Sequence, residues 1–193
     1  MRRRAISVSA MVLLVAAVGT AVAHITPPVV LVSDREAIGS MLAGARRFFV
    51  REVRLSPAER QAIQKETGWN PDADFYRFYI GRDEQGKLVG ATVFVTEYTI
   101  HGPVRVAVAL GPDGKVKDTK IVELTEETYS WVKPLIDRDF PRTYVGRDGH
   151  GTFAASGSGD NSMAHFYGDV IAGLIQRAAL LYEVGVMKRG DGA

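Results

Sequence analysis

The segment that decides the fold runs from residue 88 to residue 124. It reads LVGATVFVTEYT (88–99), IHGP (100–103), VRVAVAL (104–110), GPDGK (111–115) and VKDTKIVEL (116–124). The first of these runs is dense in Val, Thr and Tyr, which are typical of β-strands, and the valines of 104–110 alternate so that they share one face. Turn strings containing Gly and Pro connect the runs, and connections this short join antiparallel strands. The segment therefore predicts three strands of an antiparallel meander.

The residues before this segment predict one more strand and two helices. Residues 74–80 are rich in aromatic side chains and lead into a turn at 83–86, so they predict the first strand of the meander. Ser33 and Ser56 each precede a glutamate by three residues, which is the capping-box signature of a helix start. We expect the second helix to end at Gly68. The first helix is expected to bury a face made of Ile38, Met41, Leu42, Ala45, Phe48 and Phe49.

The residues after the meander predict further helical structure around a glycine-rich region. A helical or irregular stretch is expected from Thr125 to Phe140, and glycines are frequent over 141–162. A long helix is expected over 163–183, with an inward face of Phe166, Val170, Ile171, Leu174, Ile175, Ala178 and Leu181. The predicted fold class is therefore α+β, an antiparallel β-meander packed by helices. We expect an N-terminal helical segment over 24–70, a main domain over 71–186 and a disordered tail over 187–193.

The first 23 residues resemble a secretory signal. Three arginines precede an apolar run over 5–18, and residues 21–23 read Ala-Val-Ala, a typical cleavage site. We therefore expect a periplasmic protein. The alternative is an uncleaved segment that associates the protein with the inner membrane through residues 5–22.

Composition excludes several classes of function. The chain has no cysteine, which excludes c-type haem attachment, iron–sulfur clusters and cysteine-based zinc sites on this chain. Without the three leading arginines, 24 Lys and Arg become 21 against 22 Asp and Glu. Charge so evenly balanced does not indicate nucleic-acid binding, which needs a clustered basic face. Any redox chemistry must then use an organic cofactor or the metal of a partner.

Seven short strings, taken in order and spacing, resemble the FMN-binding domain family. They are LSPAERQ (55–61), ETGW (66–69), GKLVG (86–90), VTEY (95–98), HGP (101–103), GPDGKV (111–116) and VELTEE (122–127). The family includes periplasmic subunits of the Rnf and sodium-pumping NADH:quinone reductase complexes and the nitrous-oxide-reductase regulator. The resemblance implies a flavin domain that passes electrons between a membrane complex and a soluble or multihaem partner, with FMN as its cofactor.

The motif that attaches flavin covalently in that family is altered in this chain. Flavinylated members carry Asp-x-x-(Ser/Thr)-Gly-Ala-(Thr/Ser), and the corresponding residues 153–159 read FAASGSG. Gly159 stands at the acceptor position and has no hydroxyl, while Phe153 replaces the leading Asp. We therefore expect no covalent flavin.

Non-covalent FMN is expected to use the loop before the terminal helix, because a helix start with nearby glycines accepts phosphate. The loop residues are Ser156, Gly157, Ser158 and Gly159. The alternative is a flexible loop with an ordinary helix cap, which the carboxylate of Asp160 favours because it would repel a phosphate.

The segment after the fourth meander strand lines the flavin ring in the family, which implies that Glu127 and Thr128 line it here. Nearby, Tyr129 and Trp131 either stack on a flavin or fill the space that it would occupy. The second alternative corresponds to a flavin-less binding or assembly subunit of the same fold.

The remaining chemistry-bearing residues predict neither a catalytic centre nor a metal site. His101 lies in a Gly-Pro turn and is expected to be exposed, and His165 is expected to be a surface or packing residue. A copper site at an N-terminal His24 would need a second histidine, and no short His spacing supports one.

Overall fold

A computed structural model of the chain describes residues 26–155 and 162–189. The predicted signal, the loop residues Ser156 to Gly159 and residues 190–193 lie outside the described residues. The described strands are β1 (Pro28–Val30), β2 (Arg47–Val53), β3 (Tyr76–Arg82), β4 (Leu88–Thr99), β5 (Gly102–Leu110) and β6 (Val116–Thr125). The described helices are α1 (Asp34–Met41), α2 (Pro57–Thr67), α3 (Glu126–Asp137), a short 3-10 helix (Phe140–Tyr144), α4 (Ser162–Tyr182) and a π-helical turn (Glu183–Met187).

The six strands form one antiparallel sheet in the order β1-β6-β5-β4-β3-β2. Strands β3 to β6 are neighbours both in sequence and in the sheet, which confirms the predicted meander and the α+β class. The short β1 and the seven-residue β2 form the two edges of the sheet.

Helices cover the two faces of the sheet unequally. The alternating residues Val104, Val106, Val108 and Leu110 of β5 are all buried in the main core, together with residues of α3 and α4. On the other face, α1 buries Ala37 and Met41 against a smaller cluster of sheet residues. The main core therefore lies between the sheet and α4.

The region over Met163–Met187 is long and apolar enough to cross a membrane, with a mean hydropathy of 1.5. It is the one such helix among the residues that the structure describes. Its most apolar window is 67% buried inside the domain, which is typical of the core helix of a folded domain.

The predicted first helix is wrong beyond Met41. Gly44 adopts a φ of 96°, which side-chain-bearing residues rarely adopt, and the chain turns there. Residues 47–53 then form β2, since two phenylalanines and a valine favour a strand when a neighbouring strand is available for pairing. Phe48 and Phe49, predicted to be buried, are each 50% exposed. Residues 24–70 therefore contribute both edge strands in addition to two helices.

Two further expectations are corrected near the C-terminus. Phe166 is 47% exposed, while the adjacent Tyr167 is fully buried. Neighbouring helical residues point about 100° apart. The sequence pattern therefore predicted the wrong aromatic residue of this pair to be buried. In the predicted tail, Met187 belongs to the π-helical turn, and Arg189 binds the carboxylate of Glu59 and the carbonyl of Arg54. Residues 187–189 of the predicted tail therefore contact the domain, and residues 190–193 lie outside the described residues.

Candidate functional site

Four rings form an aromatic cluster beside the first turns of α4. Trp131 stacks on Tyr167, with ring centroids 5.9 Å apart and planes 15° apart. The imidazole of His101 meets Trp131 at 4.9 Å in an edge arrangement, and Phe166 meets Tyr167 at 5.1 Å in the same way. The hydroxyl of Tyr167 lies 3.4 Å from Oγ1 of Thr99 at the end of β4. The aromatic cluster therefore joins the β4–β5 turn, α3 and α4.

Local sequence sets the turn and the helix start that position the aromatic cluster. Thr125 donates its hydroxyl to the carbonyl of His101 at 2.7 Å and caps α3 through the backbone N–H of Thr128. Gly102 adopts a φ of 103°, and a Cβ at this position would collide with the side chain of Thr125. Glycine at 102 thus allows the turn to lie directly against the start of α3.

The two predicted ring-lining residues differ in what they can reach. Thr128 is fully buried, and its hydroxyl is used in the reciprocal cap with Thr125. Glu127 is partly exposed, and its carboxylate forms a 3.0 Å hydrogen bond with Nδ1 of His101. His101 is therefore not the exposed turn residue that was expected, because the edge contact with Trp131 covers its ring. The expectation for His165 is confirmed, since it lies at the surface beside Asp169.

The chain is held firmly just before residues 156–159. Phe153 stacks on Tyr144 with ring centroids 5.1 Å apart, and the guanidinium of Arg147 lies 4.4 Å from the Phe153 ring. The hydroxyl of Tyr144 donates to the carbonyl of Ala154, and the N–H of Ala155 donates to Asp169 at 2.8 Å. Phe153, which stands where the family has Asp, is thus a packing residue. The predicted phosphate-binding residues Ser156 to Gly159 follow directly, outside the described residues.

The aromatic cluster has no gap for a flavin ring between Trp131 and Tyr167. A ring inserted between two aromatic side chains needs two van der Waals contacts, or roughly 7 Å between the planes, and Trp131 already stacks on Tyr167 with centroids 5.9 Å apart. The nearby charges do not suit a phosphate either. Each of the two histidines at this end, His101 and His165, already lies beside a carboxylate, of Glu127 or Asp169.

A second candidate site is a cleft, which we call the Trp69 cleft. It has a volume of about 470 Å³ and opens where β3 and β4 diverge beyond the pair Phe78–Val93. The guanidinium of Arg177 lies 5.0 Å from the Trp69 ring and forms an ion pair with Glu97. A half-buried cleft with aromatic walls and one fixed ion pair is suited to a planar organic ligand. Its aromatic walls are Trp69, Phe75, Tyr76, Phe94 and Tyr98.

Sequence reasoning missed the Trp69 cleft because its parts are far apart in the chain. Glu97 and Arg177 are 80 positions apart, and no local spacing links either of them to Trp69. The signal that was available is an arginine within the mainly apolar second half of the terminal helix, since a partly buried charge requires a partner.

No metal centre occurs in residues 26–155 and 162–189, where no group of three His, Asp or Glu could hold an ion. The nearest approach is His150, whose two ring nitrogens face Glu183 at 2.9 Å and Glu66 at 3.5 Å. Because the two carboxylates contact opposite ring nitrogens, the imidazole links α2 to the π-helical turn. The three groups do not converge on one point where a metal ion could bind.

Comparison of the chain with models of protein families, with curated proteins and with solved structures finds no match. The resemblance to the FMN-binding domain family therefore stays a prediction from the sequence strings.

Proposed function

We propose that this chain is a periplasmic binding or assembly subunit of a membrane redox complex, built on an FMN-binding type of scaffold without a flavin of its own. The observation that carries this proposal is the stacking of Trp131 on Tyr167, which leaves no room for a ring between these two side chains. The altered attachment motif at Phe153 and Gly159 supports the same conclusion. The partner would be a membrane-bound or multihaem redox protein.

The direction in which the chain enters the domain supports a membrane-facing role for this end. The carbonyl of Pro27 accepts from the N–H of Glu126, so the first described residues lie beside the start of α3. Ile100, at the tip of the β4–β5 turn, is 94% exposed at this same end, and Phe166 is the half-exposed member of the aromatic cluster. If residues 5–22 are retained as an anchor, the aromatic cluster and Ile100 face the membrane complex.

The second candidate function is electron transfer by non-covalently bound FMN. The Trp69 cleft favours it, because its volume of about 470 Å³ and its aromatic walls suit a planar ring. In this alternative the aromatic walls of the Trp69 cleft hold the ring.

The two functions are separated by the visible spectrum of the exported protein before and after addition of FMN. We expect a colourless protein that remains colourless after FMN and gel filtration. Retained flavin absorbance that is lost in Trp69→Ala but kept in Trp131→Ala would instead establish the second candidate. Intact mass with one added FMN would contradict the expectation of no covalent flavin.

The partner role has its own test in native electrophoresis of host membranes. We expect the wild-type chain to migrate within a large redox complex, and the double variant Ile100→Glu with Phe166→Glu to migrate alone. The matched control is Val145→Glu, an exposed apolar residue far from this end. Wild-type protein that migrates alone would contradict the proposal.

A further inference from the structure

The edge strand β2 presents an unusual surface, which we call the β2 edge and define as residues 46–54. It reads RRFFVREVR, with three consecutive apolar residues between arginines. Phe48 and Phe49 are each 50% exposed and Val50 is 59% exposed. Because successive strand residues point to opposite faces, apolar side chains are exposed on both faces of this strand.

The outer side of β2 has no strand partner among the described residues. The sheet ends at β2, which pairs along its full length with β3 on the other side, from Arg47–Arg82 to Val53–Tyr76. The opposite edge strand, β1, is only three residues long. A seven-residue edge with exposed apolar side chains is the kind that folded proteins normally shorten, bulge or cover. The β2 edge therefore has the properties of a strand that another chain covers.

The charge of the β2 edge indicates which kind of chain would cover it. The β2 edge contains four arginines and one glutamate, a net charge of +3. The paired strand adds Arg77 and Arg82, and the adjoining turn adds Asp83 and Glu84. Glu52 is paired with Arg77 at 2.9 Å and Glu84 with Arg46 at 3.4 Å, while the carboxylate of Asp83 accepts from the N–H of Lys87, so two of the three acidic groups here pair with an arginine. A second copy of the chain would place one positive edge against another, whereas an acidic segment complements it.

We propose that the β2 edge is the docking site for an extended, acidic segment of a partner protein, which adds to the sheet as a seventh strand. Main-chain hydrogen bonds to β2 supply the pairing. Alternating apolar side chains of the segment cover the exposed Phe48, Phe49 and Val50, and its carboxylates lie near Arg47 and Arg51. This surface adjoins the Trp69 cleft, which is lined by Arg77 beside Glu52, but the proposal uses no contact with a flavin.

The test is an unbiased selection of random ten-residue peptides displayed on phage, using the full-length chain as bait. We expect enriched peptides that alternate Asp or Glu with apolar residues. In fluorescence anisotropy, the double variant Arg47→Gln with Arg51→Gln is expected to bind a selected peptide roughly tenfold more weakly, and added salt should weaken wild-type binding. The matched control, Lys117→Gln with Arg142→Gln, removes two charges near the other edge of the sheet and should change affinity less than about twofold.

A second pair of variants separates strand pairing from charge attraction alone. Phe49→Ser with Val50→Ser keeps every charge and is also expected to weaken peptide binding, while circular dichroism reports an unchanged fold because both side chains are exposed. The proposal is overturned by enrichment of peptides without acidic residues, by equal loss in the charge control, or by unchanged binding in the Ser variant. It is also overturned if the β2 edge instead mediates dimers in sedimentation, or binding only to vesicles of anionic lipid.

Discussion

Trp131→Ala removes the ring at the centre of the aromatic cluster. The side chain is half-buried and makes two ring contacts, with His101 at 4.9 Å and with Tyr167 at 5.9 Å. Replacing a fully buried aromatic residue by Ala costs about 3–5 kcal/mol, so a half-buried one should cost about 2 kcal/mol of unfolding free energy. For a chain of this length that corresponds to a fall in Tm of about 4–8 °C.

The same substitution tests whether Trp131 fills a ring site. Removing the indole leaves one face of Tyr167 open beside the start of α4. We therefore expect Trp131→Ala to bind FMN more tightly than wild type, while Trp131→Phe keeps the stack and remains indifferent to FMN. The assays are urea unfolding for stability and quenching of flavin fluorescence for binding. Wild-type protein that binds FMN, together with a Trp131→Ala variant that does not, would refute the reasoning, because Trp131 would then be a ring-binding residue.

The ion pair of Asp34 with Arg105 gives the next prediction. The two carboxylate oxygens of Asp34 accept from the guanidinium of Arg105 at 2.6 and 2.8 Å. That hydrogen bonding lowers the pKa of Asp34 despite its partial burial. The stabilisation is therefore present above the ordinary pKa of 3.8 and is lost as pH falls through the lowered value. Arg105→Ala should flatten the acid limb of a curve of unfolding free energy against pH, and an unchanged limb would contradict this. For His150, partial burial opposes the charged form, but two neighbouring carboxylates outweigh it and raise the pKa above 6.5. The stabilisation from these ion pairs is therefore complete below pH 6.5 and is lost as pH rises through the raised value. The Tm of His150→Gln should converge with that of wild type at alkaline pH. Gly102→Ala should lower the free energy of unfolding by about 1–3 kcal/mol, because φ is 103° and the added Cβ meets a neighbouring side chain. Gly173→Ala, in open space within α4, should raise it by about 0.5–1 kcal/mol. Urea unfolding measures both variants, and equal effects would contradict the prediction.

Local sequence signals were enough for most of the elements. The second meander strand was predicted over residues 88–99 and has those bounds, because its composition and its two turns are read from adjacent residues. Ser56 and Glu59 form the predicted capping box of α2, and Gly68 ends that helix in a left-handed conformation. Each of these features depends on residues within one turn or one hairpin of each other.

The candidate sites were less accessible to sequence reasoning. Glu127 was identified through the family resemblance, and the structure brings it to His101, 26 positions away. The contact of Trp131 with Tyr167 was not foreseen, because the helical pattern predicted Phe166, not Tyr167, to face inward. The Trp69 cleft depends on residues from three distant parts of the chain.

The sequence by itself determined the antiparallel meander, the helix starts and the long apolar terminal helix, because strand alternation, turn chemistry and capping act between residues that are close in the chain. Only the tertiary structure decided which apolar residues are buried. Phe48 and Phe49 have the spacing of a helix face, yet they lie exposed on β2, because pairing with β2 satisfies the main-chain groups along one edge of β3, which a longer first helix would leave without a strand partner. Residues 47–53 could extend the first helix or pair with β3. Which of the two is more stable depends on the position of β3 in the folded protein, so the local sequence does not determine it.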